Sequence, residues 1–153
     1  LFQISNEPGF LTPTLYNYVG RPDKTAEVVR KTLKERYNAT KEGIPGNDDS
    51  GSMSSWYVFH ALGFYPNTGQ DLYLISSPTF EEAVIHLENG RDLSIKAKKA
   101  SDKNIYVQSV KLNGEPLDAC SFKHTDIANG GTLEFVMGSK PSKWGTVGVE
   151  NQL

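Results

Sequence analysis

Two adjacent carboxylates in a glycine-bracketed loop are where this sequence could do chemistry. The stretch Gly43-Ile44-Pro45-Gly46-Asn47-Asp48-Asp49-Ser50-Gly51 leads straight into Ser52-Met53-Ser54-Ser55-Trp56-Tyr57. Neighbouring acids repel, so ionising both requires a cation, hydrogen-bond donors or water to compensate. A loop of this kind can hold a carboxylate over a cleft and aim it at a water molecule, as a general base does. The same residues admit a plainer role, because Asp49 or Ser50 can cap a helix that begins near Ser52. Residue types alone leave both readings open.

A calcium loop of the EF-hand kind does not fit here. That motif needs Gly at its sixth position and Glu at its twelfth. Counted from Asn47, those positions hold Ser52 and Val58. A second candidate is Ser5-Asn6-Glu7-Pro8. Pro8 biases Glu7 toward extended backbone, and a Glu in such a loop reads first as a loop acid. His60, His86 and His124 are too scattered for a zinc site, and His60 belongs to a core or a cleft wall. There is no Gly-rich phosphate loop, nucleophile elbow or Cys–His pairing.

The elements that must position these residues change character near Pro66. Before it the periodicity is helical, and after it the periodicity is that of strands. An apolar segment over 11–19 is expected to be a short helix stopped at Gly20, with Pro22 restarting the chain. Residues 22–37 place Thr25, Val28, Val29, Leu33, Arg36 and Tyr37 at helical spacing, opposite Lys24, Glu27, Lys31 and Lys34. A polar loop follows from Asn38 to Gly51. A second helix is predicted over 52–62, with Met53, Trp56, Tyr57, His60 and Ala61 in the i, i+3, i+4 pattern and Gly63 as its stop. Strands are predicted at Leu72 to Ile75, Ala83 to Leu87, Leu93 to Ala97, Ile105 to Leu112, Ser121 to Ile127 and Leu133 to Met137. Asn89-Gly90 and Asn113-Gly114 mark hairpin turns. The fold class is therefore α+β, with helices first and a small antiparallel β-sandwich after them.

Composition bounds the classes. Of 153 residues, 37% are hydrophobic and 22% charged, which suits a chain with a real core. The net charge of -2 gives no basic excess to neutralise phosphates, arguing against a nucleic-acid or anionic-membrane partner. Lys96, Lys98 and Lys99 read as a solvated face. No apolar run approaches the ~20 residues that span a bilayer. The single cysteine, Cys120, cannot make an internal disulfide and leaves the compartment open. Because the chain opens at Leu1 without Met, it is expected to be the middle of a larger protein, with any targeting signal upstream.

These residues resemble glycoside hydrolase family 92. The resemblance runs through Asn6-Glu7-Pro8, Leu15-Tyr16-Asn17-Tyr18, Gly20-Arg21-Pro22, the block from Gly46 to Pro66, Ser77-Pro78, Phe80, Leu112-Asn113-Gly114, His124, Asp126-Ile127, Gly130-Gly131 and Met137-Gly138. It covers nearly the whole chain, and the Gly46–Pro66 block is its most specific part. The resemblance implies a calcium-dependent, inverting exo-α-mannosidase, with α-1,2 linkages as the first expectation and α-mannoside glycans as substrates. It also implies an (α/α)6 barrel, whose last helices would be residues 1–66, and a β-sandwich domain over 67–153. By this carry-over Asp49 is the general base and Asn47 its neighbour at the same water. Asn6, Glu7 and Asp48 would lie near the sugar, and Glu7 and Asp49 would reach the calcium. The acid would come from the upstream part of the same polypeptide, leaving this part alone inactive. Secretion, or a periplasmic or surface location, is likewise implied. The competing reading is a non-catalytic carbohydrate-binding or structural β-sandwich module, using aromatics such as Tyr73, Phe80, Tyr106, Phe122 and Phe135.

Overall fold

Backbone chemistry sets the helices in this computed structural model, which describes residues 2–149. Helix α1 spans Pro22–Arg36, with Pro22 and Asp23 in its first turn and Lys34 and Arg36 in its last, each charge matched to the helix end it occupies. Arg21 pairs with Asp23 at 2.7 Å across its entrance. Helix α2 spans Ser52–Leu62 and buries Met53, Trp56, His60 and Ala61. Gly63, at φ 102°, stops it by donating to the carbonyls of Phe59 and His60.

The segment expected as a helix over 11–19 forms a 3-10 helix at Thr12–Val19, and its inward side is polar. Three residues per turn stack Thr14 and Asn17 on one side. Asn17 is fully buried and donates to the carbonyls of Ile75 (2.7 Å) and Cys120 (3.2 Å), while the Thr25 hydroxyl donates to Asn17 Oδ1 (2.7 Å). Leu15, Tyr16, Tyr18 and Val19 consequently face outward. The hydrogen-bonding demand of one amide decided which side went in.

Eight strands follow: β1 Phe64–Pro66, β2 Tyr73–Ile75, β3 Glu82–His86, β4 Asp92–Lys98, β5 Tyr106–Leu112, β6 Glu115–Pro116, β7 Ser121–Phe122 and β8 Gly131–Gly138. They build a three-stranded sheet, β1-β2-β7, and a five-stranded sheet, β3-β4-β8-β5-β6. The layers enclose one core that includes Phe64, Ile75, Phe122, Leu93, Ile95, Val110, Leu133 and Phe135. A second cluster under the helices holds Ile4, Phe10, Val29, Leu33, Met53, Trp56 and Tyr65, and Phe59 packs against both. On the outer face of the larger sheet Glu82, Lys96, Glu134 and Lys111 stand in register across β3, β4, β8 and β5. Alternating signs in one cross-strand row suit a solvated surface.

Three expectations need correction. The expected switch at Pro66 lies one strand late, since β1 pairs antiparallel with β2 from Phe64 onward. The strand expected over 121–127 ends at Phe122, because Asp126 accepts from the Lys123 N–H and Ile127 donates to the His124 carbonyl, tightening His124–Asp126 into a 3-10 turn. The sandwich is not wholly antiparallel either, for β4 and β8 run parallel. The Asn89 amide and the Arg91 guanidinium hold the carbonyls of Ala128 and Asn129, so β8 starts at the same end as β4. Leu1 and residues 150–153 of the two expected spans lie outside the described residues.

Helix α1 also docks onto the sandwich. Arg30 is buried and donates to the Pro78 carbonyl (2.6 Å) and the Ser101 carbonyl (2.9 Å). Burial draws its pKa down against the opposing pull of Asp102. The Tyr106 hydroxyl donates to Glu27 beside it at 3.1 Å.

Candidate active site

The two candidate segments meet at the start of α2. The Ser52 hydroxyl donates to Glu7 Oε1 at 2.9 Å. Gly46, at φ 84°, lies so close to Ser5 that a Cβ would strike its carbonyl oxygen. Trp56 adds a third tie, its indole N–H donating to the Phe10 carbonyl at 3.1 Å. Asn6 caps its own short 3-10 turn, Glu7–Gly9, by accepting from the Glu7 N–H at 3.0 Å. Asn6, Glu7, Asn47, Asp48 and Asp49 are all exposed.

The helix cap falls on neither residue expected to provide it. Gly51 holds the N-cap position and brings no side chain, so Asp48 serves the first turn from outside it, accepting from the Ser54 N–H (2.9 Å) and the Ser54 hydroxyl (2.7 Å) with its two oxygens. These bonds hold its carboxyl below the usual range. The chain reaches that geometry by turning left-handed at Ser50 (φ 53°) and Gly51 (φ 77°). Asp49 is left with no hydrogen bond or ion pair from its carboxylate among the described residues. One acid of the pair is tied to Ser54, and the other makes no such bond among the described residues.

Sequence reasoning missed Ser52, Ser54 and Tyr37 as parts of this site. The Tyr37 hydroxyl donates to the Met53 carbonyl at 3.1 Å, and its ring stacks on Trp56 at 5.9 Å. Burial, with Asp48 adding to it, raises its pKa. A cleft of about 430 Å³ lined by Tyr37, Ile44, Ser54, Tyr57 and Val58 opens beside the Asp48 cap. Another of about 540 Å³, between α1 and the 79–80 and 101–105 stretches, is lined in part by Phe80 and by none of Asn6, Glu7, Asn47, Asp48 and Asp49.

The histidines stay apart. His60 is fully buried between Trp56 and Tyr65, as a core residue. His86 meets Asp92, and His124 meets Tyr73. Among the described residues no three His, Cys, Asp or Glu side chains gather to hold a metal. Of the aromatics offered as a sugar platform, Phe122 and Phe135 are core and Phe80 is exposed.

The sequence profile of the glycosyl hydrolase family 92 catalytic domain matches residues 1–139. The chain belongs to glycosyl hydrolase family 92. A relative named an uncharacterized secreted glycosidase, from the fungus Arthroderma benhamiae, is 40% identical over 149 residues, covering 95% of this chain and 19% of its own length. A family 92 α-mannosidase of Bacteroides thetaiotaomicron superposes at a TM-score of 0.93 with 33% identity, over 99% of this chain and 21% of that one. The same enzyme in complex with mannoimidazole gives 0.92, with 34% identity over 97% and 20%. A family 92 inverting mannosidase of the same bacterium gives 0.86, with 33% identity over 95% and 20%. The chain thus spans about a fifth of the length of these relatives.

Proposed function

We propose that this chain is the base-bearing part of a longer, calcium-dependent, inverting exo-α-mannosidase that releases mannose from mannosides or N-glycans, with α-1,2 linkages preferred. The observation that carries the reading is the division of the acid pair, with Asp48 tied to Ser54 and Asp49 unengaged beside it. In this mechanism Asp49 accepts a proton from water as the water oxygen bonds to the anomeric carbon. The glycosidic bond breaks on the opposite face, where an acid upstream in the polypeptide protonates the leaving oxygen. Attack opposite the leaving group inverts the anomeric centre, which requires base and acid roughly 6.5–9.5 Å apart with water between. Asn47 orients the same water, and Asn6 and Glu7 contact the sugar. Because both oxygens of Asp48 are engaged, its role here is support for the loop. Residues 1–66 are assigned to the last helices of the (α/α)6 barrel and 67–153 to the sandwich, with β1 bridging the two.

Calcium takes roughly six to eight oxygen ligands. Asn6, Glu7 and Asp49 offer oxygens of the right kind but too few to form a cage. Glu7 and Asp49 would be this chain's ligands, completed by sugar hydroxyls, water and upstream groups. Bound there, calcium supplies charge that holds and distorts the sugar ring. The relative named as secreted supports an extracellular site of action, and no helix among the described residues is long and apolar enough to cross a membrane.

The test uses the full-length protein on linkage-defined mannobiosides, with the first-formed anomer followed by NMR. β-Mannose as the first product, activity lost in EDTA and recovered with calcium, and fastest cleavage of the α-1,2 substrate are expected. Full activity in a metal-free sample would refute the calcium dependence, and α-mannose as the first product would refute inversion.

A further inference from the structure

We propose that Asp48 and Ser54 form a positioning clamp for Asp49, an inference that rests on the reading of Asp49 as the base. Asp48 directs both carboxylate oxygens to one residue, the Ser54 N–H at 2.9 Å and the Ser54 hydroxyl at 2.7 Å. Two backbone bonds close the same segment, from the Gly51 N–H to the Asp48 carbonyl at 3.0 Å and from the Ser52 N–H to the Asp49 carbonyl. Residues 48–54 are therefore a closed ring, and Asp49 carries the one carboxylate on it with no bond of its own.

The ring stands on a rigid base. Tyr37 donates to the Met53 carbonyl within it and stacks on Trp56, which is itself fully buried. Met53 is also fully buried. The ends of the turn are thus fixed by α2 and its packing, while the turn itself, left-handed at Ser50 and Gly51, is exposed or nearly so. Beyond the two backbone bonds and the Ser52–Glu7 contact, what restrains it from swinging is the Asp48–Ser54 pair. An acid held in this way contacts no sugar. It acts by keeping the neighbouring carboxylate aligned on the water, and misalignment by about 1 Å can cost on the order of a hundredfold in rate.

The test is steady-state kinetics of the full-length protein on a mannobioside. Asp49→Asn comes first, and if it keeps wild-type kcat the base reading fails and the clamp with it. Once Asp49→Asn is slow, Ser54→Ala is expected to lower kcat roughly tenfold and Asp48→Ala roughly a hundredfold, with KM within about twofold of wild type. Ser54→Thr keeps the hydroxyl and is expected to return kcat to within about threefold of wild type. A raised KM with intact kcat in Asp48→Ala would make Asp48 a sugar ligand and overturn the clamp. A Ser54→Thr variant as slow as Ser54→Ala would overturn it too. Thermal unfolding accompanies each variant, and should Asp48→Ala not fold, the Ser54 pair decides alone.

Discussion

Asp49→Asn in the full-length enzyme is expected to lower kcat by roughly 10²–10⁴, the usual effect of removing a general base. Turnover of an aryl mannoside measures it, and wild-type turnover would end the assignment. That two acids stand side by side in the loop before α2 was legible in the sequence, but which of them bonds back to the helix was not. Capping normally spans three residues, and the left-handed step at Ser50 and Gly51 stretches it to the six between Asp48 and Ser54. His60 supports a second prediction. Burial holds its pKa down at about 3, against 6.5 in the unfolded chain, and the flanking Trp56 and Tyr65 rings bring no charge. Between those values the unfolded chain binds a proton that the folded chain refuses, so stability rises with pH there. The contribution is full above pH 6.5 and is lost as pH falls toward 3. At pH 5 the loss should be about 2 kcal/mol. His60→Phe should flatten that loss, as read by thermal unfolding of the chain at a series of pH values. An equal acid loss in the variant would clear His60 of the effect.

The attachment of the 3-10 helix Thr12–Val19 to the small sheet depends on one side chain. Asn17→Asp keeps the shape but turns a carboxylate oxygen toward the carbonyls of Ile75 and Cys120. Two lost donors and a buried charge should destabilise by at least about 3 kcal/mol, as measured by denaturant unfolding, and a loss under about 1 kcal/mol would contradict this role for Asn17. Elements of this kind were the hardest to read. Helices α1 and α2 were legible because their buried stripes recur at helical spacing, and the β3–β4 hairpin because Asn89-Gly90 separates two alternating runs. The inward polar side at Thr14 and Asn17 gives no hydrophobic period. β1 is too short to show alternation, and its last residue, Pro66, reads as punctuation.

At the scale of the whole molecule, the 153-residue chain by itself is expected to release no measurable mannose with calcium present. Without a positioned acid a rate typically falls by roughly 10²–10⁴, and the sugar is also no longer held against the water. Mannose release within about tenfold of the full-length protein at equal concentration would place the acid within these residues. The layering of the sandwich was legible from strand spacing, whereas strand order was not, because order depends on long-range pairing that leaves no local mark. That order has a bearing on how the protein is made. β8, the last strand among the described residues, occupies the middle of the larger sheet, between β4 and β5. A ribosome emitting this sequence releases the β3–β4 and β5–β6 hairpins first, each with one edge that has no mate yet. Until Gly131–Gly138 emerges, those edges can recruit strands of other nascent chains, so the interval before this strand leaves the ribosome is the one in which a chaperone has most to shield.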